Sequence, residues 1–322
     1  MSVEELPGPT VPARLLTPDV ESRLTALRFL FSRTVDGRLT GVHRSAQPGV
    51  SVEFSDHKEY SPGDDIRRLN WKVYARSDKF YVRQFAKDTH ANVYLLLDLS
   101  GSMRYGSSEA PFSKAVSAAR LAVSLTSIFL RQNDAVGLLT IRGDKLEQIV
   151  PARSHASQLV AVEETLQQAL ADPGKHHHEG PTSLIPALEY LIISKRLARG
   201  AVFILSDFFV DLDSLFPYLN YLKAAGNYVW LVHLLDPAEF DFATTGKTRT
   251  FPFAGTRVFR SNETGLGVLM ESELARPDYV SRFRSYLDSL HQRCAENALD
   301  WSGCNSDRDP VEFLVEYLQE RK

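Results

Sequence analysis

The chain has 322 residues, of which 43% are hydrophobic and 24% charged, and its formal net charge is −3. This composition is that of a globular protein with a sizeable core, and it excludes a strongly basic field over the whole molecule of the kind that attracts nucleic acid. The two cysteines, Cys294 and Cys304, exclude a disulfide scaffold and favour a reducing compartment. No apolar stretch approaches the roughly 18 to 20 residues of a membrane span, and the first residues lack the apolar core of a signal peptide. We therefore expect a cytoplasmic protein.

The first ninety residues are predicted to hold an arm, a helix and a β-rich domain. Residues 1–18 contain several prolines and small residues, which predicts a flexible arm, and residues 19–35 place apolar side chains at helical spacing. Residues 41–91 alternate between polar and apolar side chains on both sides of a turn at Ser61-Pro-Gly63. This pattern predicts short strands.

From residue 92 the pattern becomes an alternation of strands and helices. Strands are predicted at 92–97, 134–141, 145–150, 201–205 and 228–235, and helices at 113–131, 157–171, 183–197 and 212–224. Strands joined by helices of this length form right-handed crossovers. Residues 92–236 are therefore predicted to form a doubly wound α/β domain with a mainly parallel sheet.

Residues 237–275 interrupt this alternation. Two short strands are predicted at 256–259 and 267–270, and we expect them to pack with residues 41–91, so that the small β-rich domain is built from two separated segments. Residues 276–322 return to the α/β pattern, with helices at 277–297 and about 310–321 on either side of a strand at 298–302.

The most informative residues follow the first buried strand. Asp98, Ser100 and Ser102 lie two residues apart around Gly101, which we expect to allow a tight bend that turns both hydroxyls towards one point. Ligands of a parallel sheet bind at the carboxyl ends of its strands. One carboxylate with two hydroxyls is a hard oxygen set that suits Mg²⁺ or Mn²⁺ and suits zinc poorly.

Two later segments place a hydroxyl and a carboxylate at the same edge of the predicted sheet. The segment Gly180-Pro-Thr182-Ser183 opens a predicted helix and places the Thr182 hydroxyl at its N-terminus, and Asp207 follows the buried strand 201–205. The sequence Asp98-Leu-Ser-Gly-Ser102 alone is also compatible with a helix N-cap, since Asp and Ser favour that position. The occurrence of Thr182 and Asp207 in the same order and context favours a metal site.

This series of residues resembles the metal-ion-dependent adhesion site of von Willebrand factor type A domains, and the order of elements from 92 to 235 is similar to that fold. The resemblance implies that Ser100, Ser102 and Thr182 contact a Mg²⁺ or Mn²⁺ ion through their hydroxyls. Asp98 and Asp207 would then act directly or through bound water.

The stretch from Glu59 to Arg76, EYSPGDDIRRLNWKVYAR, resembles the signature of the bacterial domain-of-unknown-function family 58, and the resemblance extends from about Val42 to the end of the chain. Members of that family resemble type A domains that carry a small β-domain, and they are commonly associated with MoxR-type AAA+ ATPases. The resemblance therefore implies such an ATPase as the partner.

The sequence departs from the adhesive type A pattern at three places. Phe208 and Phe209 follow Asp207 where glycine is common, Ser183 stands where an acidic or amide residue is frequent, and the loop before Thr182 contains His176–His178. These differences concern the coordination shell more than the fold.

Four residues are candidates for partner contact. Arg67 and Arg76 belong to a basic stretch that extends to Lys87, and Phe208 and Phe209 adjoin the predicted metal site. The arginines are better suited to a structural role, pairing with Asp64 and packing on Trp71, whereas the phenylalanines suit the core and an exposed rim equally.

Two other classes of function were weighed. A metal-dependent phosphatase or other hydrolase of the haloacid-dehalogenase kind needs a second carboxylate two residues after the nucleophile, and Ser100 occupies that position. A nucleic-acid-binding module would rest on the basic residues between 67 and 87 alone. The pattern favours a non-catalytic, metal-dependent protein–protein interaction module, an adaptor or co-chaperone of the ATPase, in which the cation grips a carboxylate of the partner.

Overall fold

The structure, a computed structural model, describes residues 11–29, 91–107, 110–171, 182–194, 197, 200–239, 255–260 and 267–320, and the stretches 33–35, 38–40, 44–45, 54–59, 74, 80–85 and 87–88. The chain divides into two compact units, residues 1–29 with 91–322 and residues 30–90. None of the helices in these stretches combines the length and the apolar character needed to cross a membrane.

The N-terminal residues of the first unit are anchored. Leu15 and Leu16 are buried, and the backbone N–H of Leu15 donates to Glu163 Oε1 at 2.9 Å. The prediction of a flexible arm is therefore wrong for residues 11–18, because apolar burial and this hydrogen bond hold them in place.

Helix α1 spans Pro18–Leu24, and the prediction of a helix up to residue 35 is wrong. Phe29 takes part in a different hydrogen-bonding pattern, since its N–H donates to Gln132 Oε1 at 2.7 Å and its carbonyl accepts from Gln132 Nε2 at 3.0 Å. These bonds replace the helical ones, and Phe29 is fully buried.

The second unit is described through its strands. The antiparallel pairs are β1 (Arg33–Val35) with β2 (Arg38–Thr40), β3 (Arg44–Ser45) with β6 (Lys87–Asp88), and β4 (Phe54–Glu59) with β5 (Tyr81–Phe85). Two of these pairs, β3 with β6 and β4 with β5, lie within residues 41–91 and agree with the β-rich character predicted there.

The first unit continues with a six-stranded sheet, a separate hairpin and six helices in its described part. In chain order they are β7 (Asn92–Asp98), α2 (Lys114–Arg131), β8 (Ala135–Arg142), β9 (Lys145–Arg153), α3 (Ser157–Ala171), α4 (Ile185–Ile193), β10 (Ala201–Ser206), α5 (Leu212–Ala224), β11 (Tyr228–Leu235), β12 (Thr256–Arg260), β13 (Gly267–Glu271), α6 (Ser272–Glu296), β14 (Asp300–Asn305) and α7 (Pro310–Glu320). The strands and helices predicted from residue 92 onward are present, with shifts of up to five residues at their ends.

The strand order of the sheet is β14-β11-β10-β7-β8-β9. All neighbours are parallel except β8 and β9, which form an antiparallel hairpin around Gly143 at a φ of 60°. The chain order reverses between β7 and β10, so this is the doubly wound, mainly parallel sheet predicted from the sequence. The crevice at such a reversal is where α/β sheets bind their ligands.

Helices cover both faces of the sheet. On one face, Phe203 and Trp230 pack with Phe29, Phe129 of α2 and Tyr317 of α7, with ring centroids 4.1 to 6.2 Å apart. Alternate residues of the same strands point to the other face and join a core cluster with α4, α5 and the end of α6. Helix α2 is buried along almost its whole length, which makes it the central helix of the unit.

The hairpin of β12 and β13 forms its own two-stranded sheet and belongs to the first unit. The prediction that it joins residues 41–91 in one small domain is therefore wrong. The physical reason is its direct continuation into a long helix, since β13 ends at Glu271 and α6 begins at Ser272. Its side chains Val258 and Leu269 are exposed at 61% and 68%.

The burial of Phe29 generates a stability prediction. Removing its ring leaves a cavity between α2, β10 and α7, so we expect Phe29→Ala to lower the free energy of unfolding by about 3 to 5 kcal/mol. Urea unfolding followed by circular dichroism measures this change. Tyr221→Ala, which truncates an aromatic side chain 58% exposed on α5, is the matched control and should change stability by under about 1 kcal/mol. Equal effects of the two variants would mean that Phe29 does not anchor the N-terminal segment.

Candidate metal centre

The core of the candidate site lies between β7 and β10, where the chain order of the sheet reverses. Leu97 and Leu205 are register partners, so Asp98 and Ser206 end the two strands side by side. The Ser206 hydroxyl donates to Asp98 Oδ2 at 2.6 Å, and the Ser100 N–H donates to Asp98 Oδ1 at 2.9 Å. Asp98 is fully buried, and its carboxylate is held in one orientation from both sides.

The turn after β7 brings the two predicted serines together. The hydroxyl oxygens of Ser100 and Ser102 lie 3.2 Å apart, and Ser102 begins a 3-10 turn that ends at Arg104. Gly101 has φ −59° and ψ −38°, an ordinary right-handed conformation that any residue adopts. The bend therefore does not depend on glycine, contrary to the sequence-based expectation.

Thr182 lies at the same edge of the sheet and is 8% exposed. The Ser183 N–H donates to the carbonyl of Gly143 at 2.9 Å, which ties this segment to the β8–β9 turn. Helix α4 begins only at Ile185, so Thr182 precedes the helix instead of opening it. Thr182 borders a cleft of about 500 Å³ that is also lined by Phe209.

Asp207, one residue beyond the end of β10, is buried and paired with a lysine. Lys114 Nζ donates to Asp207 Oδ2 at 2.9 Å and to both oxygens of Glu239 at 2.9 and 3.0 Å. The Lys114 side chain is fully buried. Lys114, Glu239 and Ser206 were not among the predicted site residues.

One signal in the sequence points to Lys114. It is the first residue of α2, after the N-cap Ser113, and a cation in the first turn of a helix is opposed by the helix dipole. A lysine at that position, followed by small and apolar residues, therefore indicates a carboxylate partner elsewhere in the fold.

The carboxyl of Asp98 responds to its burial and to the neighbouring charge of Asp207. Burial, followed by the charge of Asp207, raises the pKa of Asp98 to about 7, and the hydrogen bonds from Ser206 and Ser100 offset only part of this rise. Burial alone would lower the pKa of Lys114, but the charges of Asp207 and Glu239 outweigh it and raise that pKa. Asp98 is thus the carboxylate whose charge is least compensated.

The Phe208–Phe209 pair divides between core and surface. Phe208 is fully buried and packs against His233 with ring centroids 5.7 Å apart. The prediction of Phe208 as a partner-binding residue is therefore wrong, because the core encloses its ring. Phe209 is 39% exposed, lies 5.4 Å from Lys114 Nζ at its ring centroid, and lines the cleft.

Other predicted features fall outside the described residues. These are Arg67 and Arg76, the rest of the signature block apart from Glu59 and Tyr74, and the histidine run 176–178.

The donor set fits a hard divalent cation. Asp98 is a buried carboxylate with uncompensated charge, and each of its oxygens has spare lone pairs beyond the hydrogen bonds described above. Ser100 and Ser102 place two hydroxyl oxygens beside it. Among the described residues, no three His, Cys, Asp or Glu side chains are grouped as metal ligands, so a cation here would depend on the serine and threonine hydroxyls.

The raised pKa of Asp98 generates a prediction for metal-free protein. The ordinary value is 3.8 and the value in the fold is about 7, so the folded chain holds this proton more tightly than the unfolded chain does. Stability therefore falls as pH rises through that window. We expect Asp98→Asn to be more stable than wild type at pH 8 in EDTA by roughly 1 to 4 kcal/mol, and the difference to shrink towards pH 4.

Urea unfolding at both pH values measures this difference. Asp278→Asn, which neutralises an exposed carboxylate of α6, is the control for the loss of a carboxylate at the surface. A stability gain for Asp98→Asn that is the same at both pH values would mean that Asp98 keeps an ordinary pKa in the fold.

Comparisons with solved structures give low similarity. An aerotolerance-related membrane protein from Bacteroides fragilis aligns with 71% of this chain and 99% of its own, at 15% identity and a TM-score of 0.42. The hypothetical protein BatB from Bacteroides thetaiotaomicron aligns with 72% of this chain and 98% of its own, at 14% identity and a TM-score of 0.42. The SpRpn10 VWA domain aligns with 45% of this chain and 76% of its own, at 15% identity and a TM-score of 0.31.

Comparisons of sequence give a clearer result. An uncharacterized protein of Mycobacterium tuberculosis strain H37Rv is 28% identical in an alignment 331 residues long, which covers 100% of this chain and 98% of the relative. An uncharacterized protein of Mycobacterium bovis matches with the same identity and coverage. Residues 56–285, which are more than two thirds of the chain, match the family described as "Protein of unknown function DUF58". The chain belongs to the DUF58 family.

Proposed function

We propose that this chain is a non-catalytic, metal-dependent protein–protein interaction module. Its Mg²⁺ or Mn²⁺ ion is held by Asp98, Ser100, Ser102, Thr182 and Asp207, and a carboxylate of the partner completes the coordination. The observation that carries the proposal is the buried carboxylate of Asp98, which ends β7 beside two hydroxyls at the reversal point of the sheet.

The charges of the site support binding of a partner's carboxylate by the cation. Asp98 brings one negative charge, the hydroxyls bring none, and the charge of Asp207 is already shared with Lys114. A divalent cation on this set keeps positive charge, and the cation supplies a strong, directional contact for an oxygen anion. An Asp or Glu side chain of a protein is such an anion.

The cleft beside Thr182 supports a protein as the partner. It has a volume of about 500 Å³, and its lining combines apolar and aromatic side chains with polar ones. The apolar and aromatic lining includes Ile185, Phe209, Val210 and Tyr286, and the two carboxylates of the lining are Asp144 and Asp211. A partner segment whose carboxylate meets the cation can place a neighbouring apolar side chain there, which adds buried area to the electrostatic contact.

The resemblance of the Glu59–Arg76 block to its family signature supports a MoxR-type AAA+ ATPase as the working partner. The chain would then serve this ATPase in the cytoplasm as an adaptor or co-chaperone. The proposal of a non-catalytic role rests on Ser100, which occupies the place where a phosphatase of the haloacid-dehalogenase kind needs a second carboxylate.

The first prediction of this proposal concerns capture of the partner. We expect the wild-type chain to recover an AAA+ ATPase from host lysate in Mg²⁺ and to lose it in EDTA, as identified by mass spectrometry. Asp98→Ala should lose at least about 90% of the capture in Mg²⁺, because the cation loses its one uncompensated carboxylate. Asp278→Ala, which removes an exposed carboxylate, is the matched control. Undiminished capture by Asp98→Ala would refute the metal-dependent grip.

A second prediction separates the cleft from the cation. Phe209→Ala leaves the oxygen donors in place, so we expect it to bind Mn²⁺ as wild type does but to bind the recovered partner roughly tenfold more weakly. Titration of Mn²⁺ and of purified partner, each by calorimetry, measures the two affinities. An unchanged affinity for the partner would remove the cleft from the interface while leaving the cation site in place.

A further inference from the structure

Lys114 contacts one carboxylate of the candidate metal centre, that of Asp207. Its side chain is fully buried, and it contacts Asp207 and Glu239 while also lying over the rings of Tyr105 and Phe209, 5.9 and 5.4 Å from their centroids. Burial and the dipole of α2 both oppose an ammonium at this place. The two carboxylates must therefore compensate for its position.

This pairing makes the two carboxylates of the site unequal. Asp207 Oδ2 accepts from Lys114 at 2.9 Å, so much of the charge of Asp207 is already compensated. The hydrogen bonds resolved for Asp98 come from neutral donors, the Ser100 N–H and the Ser206 hydroxyl. A cation that enters between them meets one free negative charge and one that is shared with an ammonium.

We propose, on the basis of the metal-dependent grip proposed above, that Lys114 sets the affinity of this site for its cation and its need for a partner carboxylate. Lys114 competes with the cation for Asp207, which keeps the cation weakly bound and positively charged. A carboxylate that arrives from outside cancels this charge, so the cation and the carboxylate bind cooperatively. Lys114 is a positioning residue in this scheme, since it acts through Asp207.

Binding of Mn²⁺ to the full chain tests the proposal, with free Mn²⁺ measured by electron paramagnetic resonance. Acetate serves as the probe for the partner carboxylate, against chloride at equal ionic strength. We expect acetate to strengthen Mn²⁺ binding by wild type. Lys114→Met should bind Mn²⁺ roughly tenfold or more tightly without acetate, because Asp207 is released from a charge-assisted hydrogen bond, and acetate should then add less.

A double variant distinguishes this pairing from a simple change of net charge. Lys114→Met with Glu239→Gln removes one positive and one negative charge, so the local net charge equals that of wild type while Asp207 is still released. We expect the double variant to bind Mn²⁺ more tightly than wild type. Glu239→Gln alone removes the second carboxylate that pairs with Lys114, so the ammonium pairs more strongly with Asp207. We therefore expect this variant to bind Mn²⁺ more weakly than wild type.

The controls use the same helix. Arg120→Met removes another cation of α2, whose guanidinium lies 3.5 Å from Asp309, and should leave Mn²⁺ binding unchanged. Lys114→Arg keeps the charge and should retain the weak Mn²⁺ binding of wild type.

Thermal unfolding in EDTA verifies that each variant is folded. The double variant and Glu239→Gln test the proposal if Lys114→Met alone does not fold.

The outcomes separate this proposal from the one on which it rests. Equal Mn²⁺ affinity for wild type, Lys114→Met and the double variant would overturn the role of Lys114 and leave the metal-dependent grip standing. If Lys114→Met bound Mn²⁺ more tightly than wild type but the double variant had the wild-type affinity, the effect would be one of net charge alone. That result would also overturn the role of Lys114. Mn²⁺ binding by Lys114→Met but not by wild type, in acetate as well as in chloride, would support the competition and overturn the grip, and binding by neither in either salt would overturn both.

Discussion

Two carboxylates buried at the ends of adjacent parallel strands are the constraint on which this edge of the molecule depends. Asp98 and Asp207 have exposures of 0% and 1%, and like charges buried together are unfavourable unless they are compensated. The fold compensates the two charges unequally. Asp98 accepts hydrogen bonds from a backbone N–H and a hydroxyl, which are neutral, whereas Asp207 pairs with the ammonium of Lys114. The charge that remains uncompensated at Asp98 is the one that the proposed cation would neutralise.

The position of the ammonium follows from the packing of the whole unit. Helix α2 starts at Lys114 and is buried almost throughout, so the packing of the central helix fixes where the Lys114 side chain starts. Neighbouring loops are fixed to the same edge by Asp236, which accepts from the Ser107 N–H at 2.9 Å and the Ser306 hydroxyl at 3.0 Å. The segments after β7, β11 and β14 are thereby joined around the site, and its charges are held by rigid elements.

The backbone after Asp207 shows how local strain is accommodated. Phe208 has a φ of 54°, in the left-handed region that favours glycine. Three interactions offset the strain here, namely burial of the ring, donation from the Phe208 N–H to Ser206 Oγ at 2.9 Å, and acceptance of the Tyr286 hydroxyl by the Phe208 carbonyl. The left-handed turn sends Phe208 into the core and leaves Phe209 at the cleft.

The sequence by itself determined the α/β domain and part of its edge. Alternating strand and helix patterns from residue 92 imply a doubly wound sheet, and such a sheet places Asp98 and Asp207 at one edge because parallel strands all end there. Tertiary structure alone decided that Lys114 pairs with Asp207 and Glu239, since these contacts join residues 93 and 125 positions apart. It also decided which phenylalanine faces outwards and which unit the β12–β13 hairpin joins. Periodicity reports which side of an element is apolar, but the choice of partner across the fold depends on the packing of all elements together.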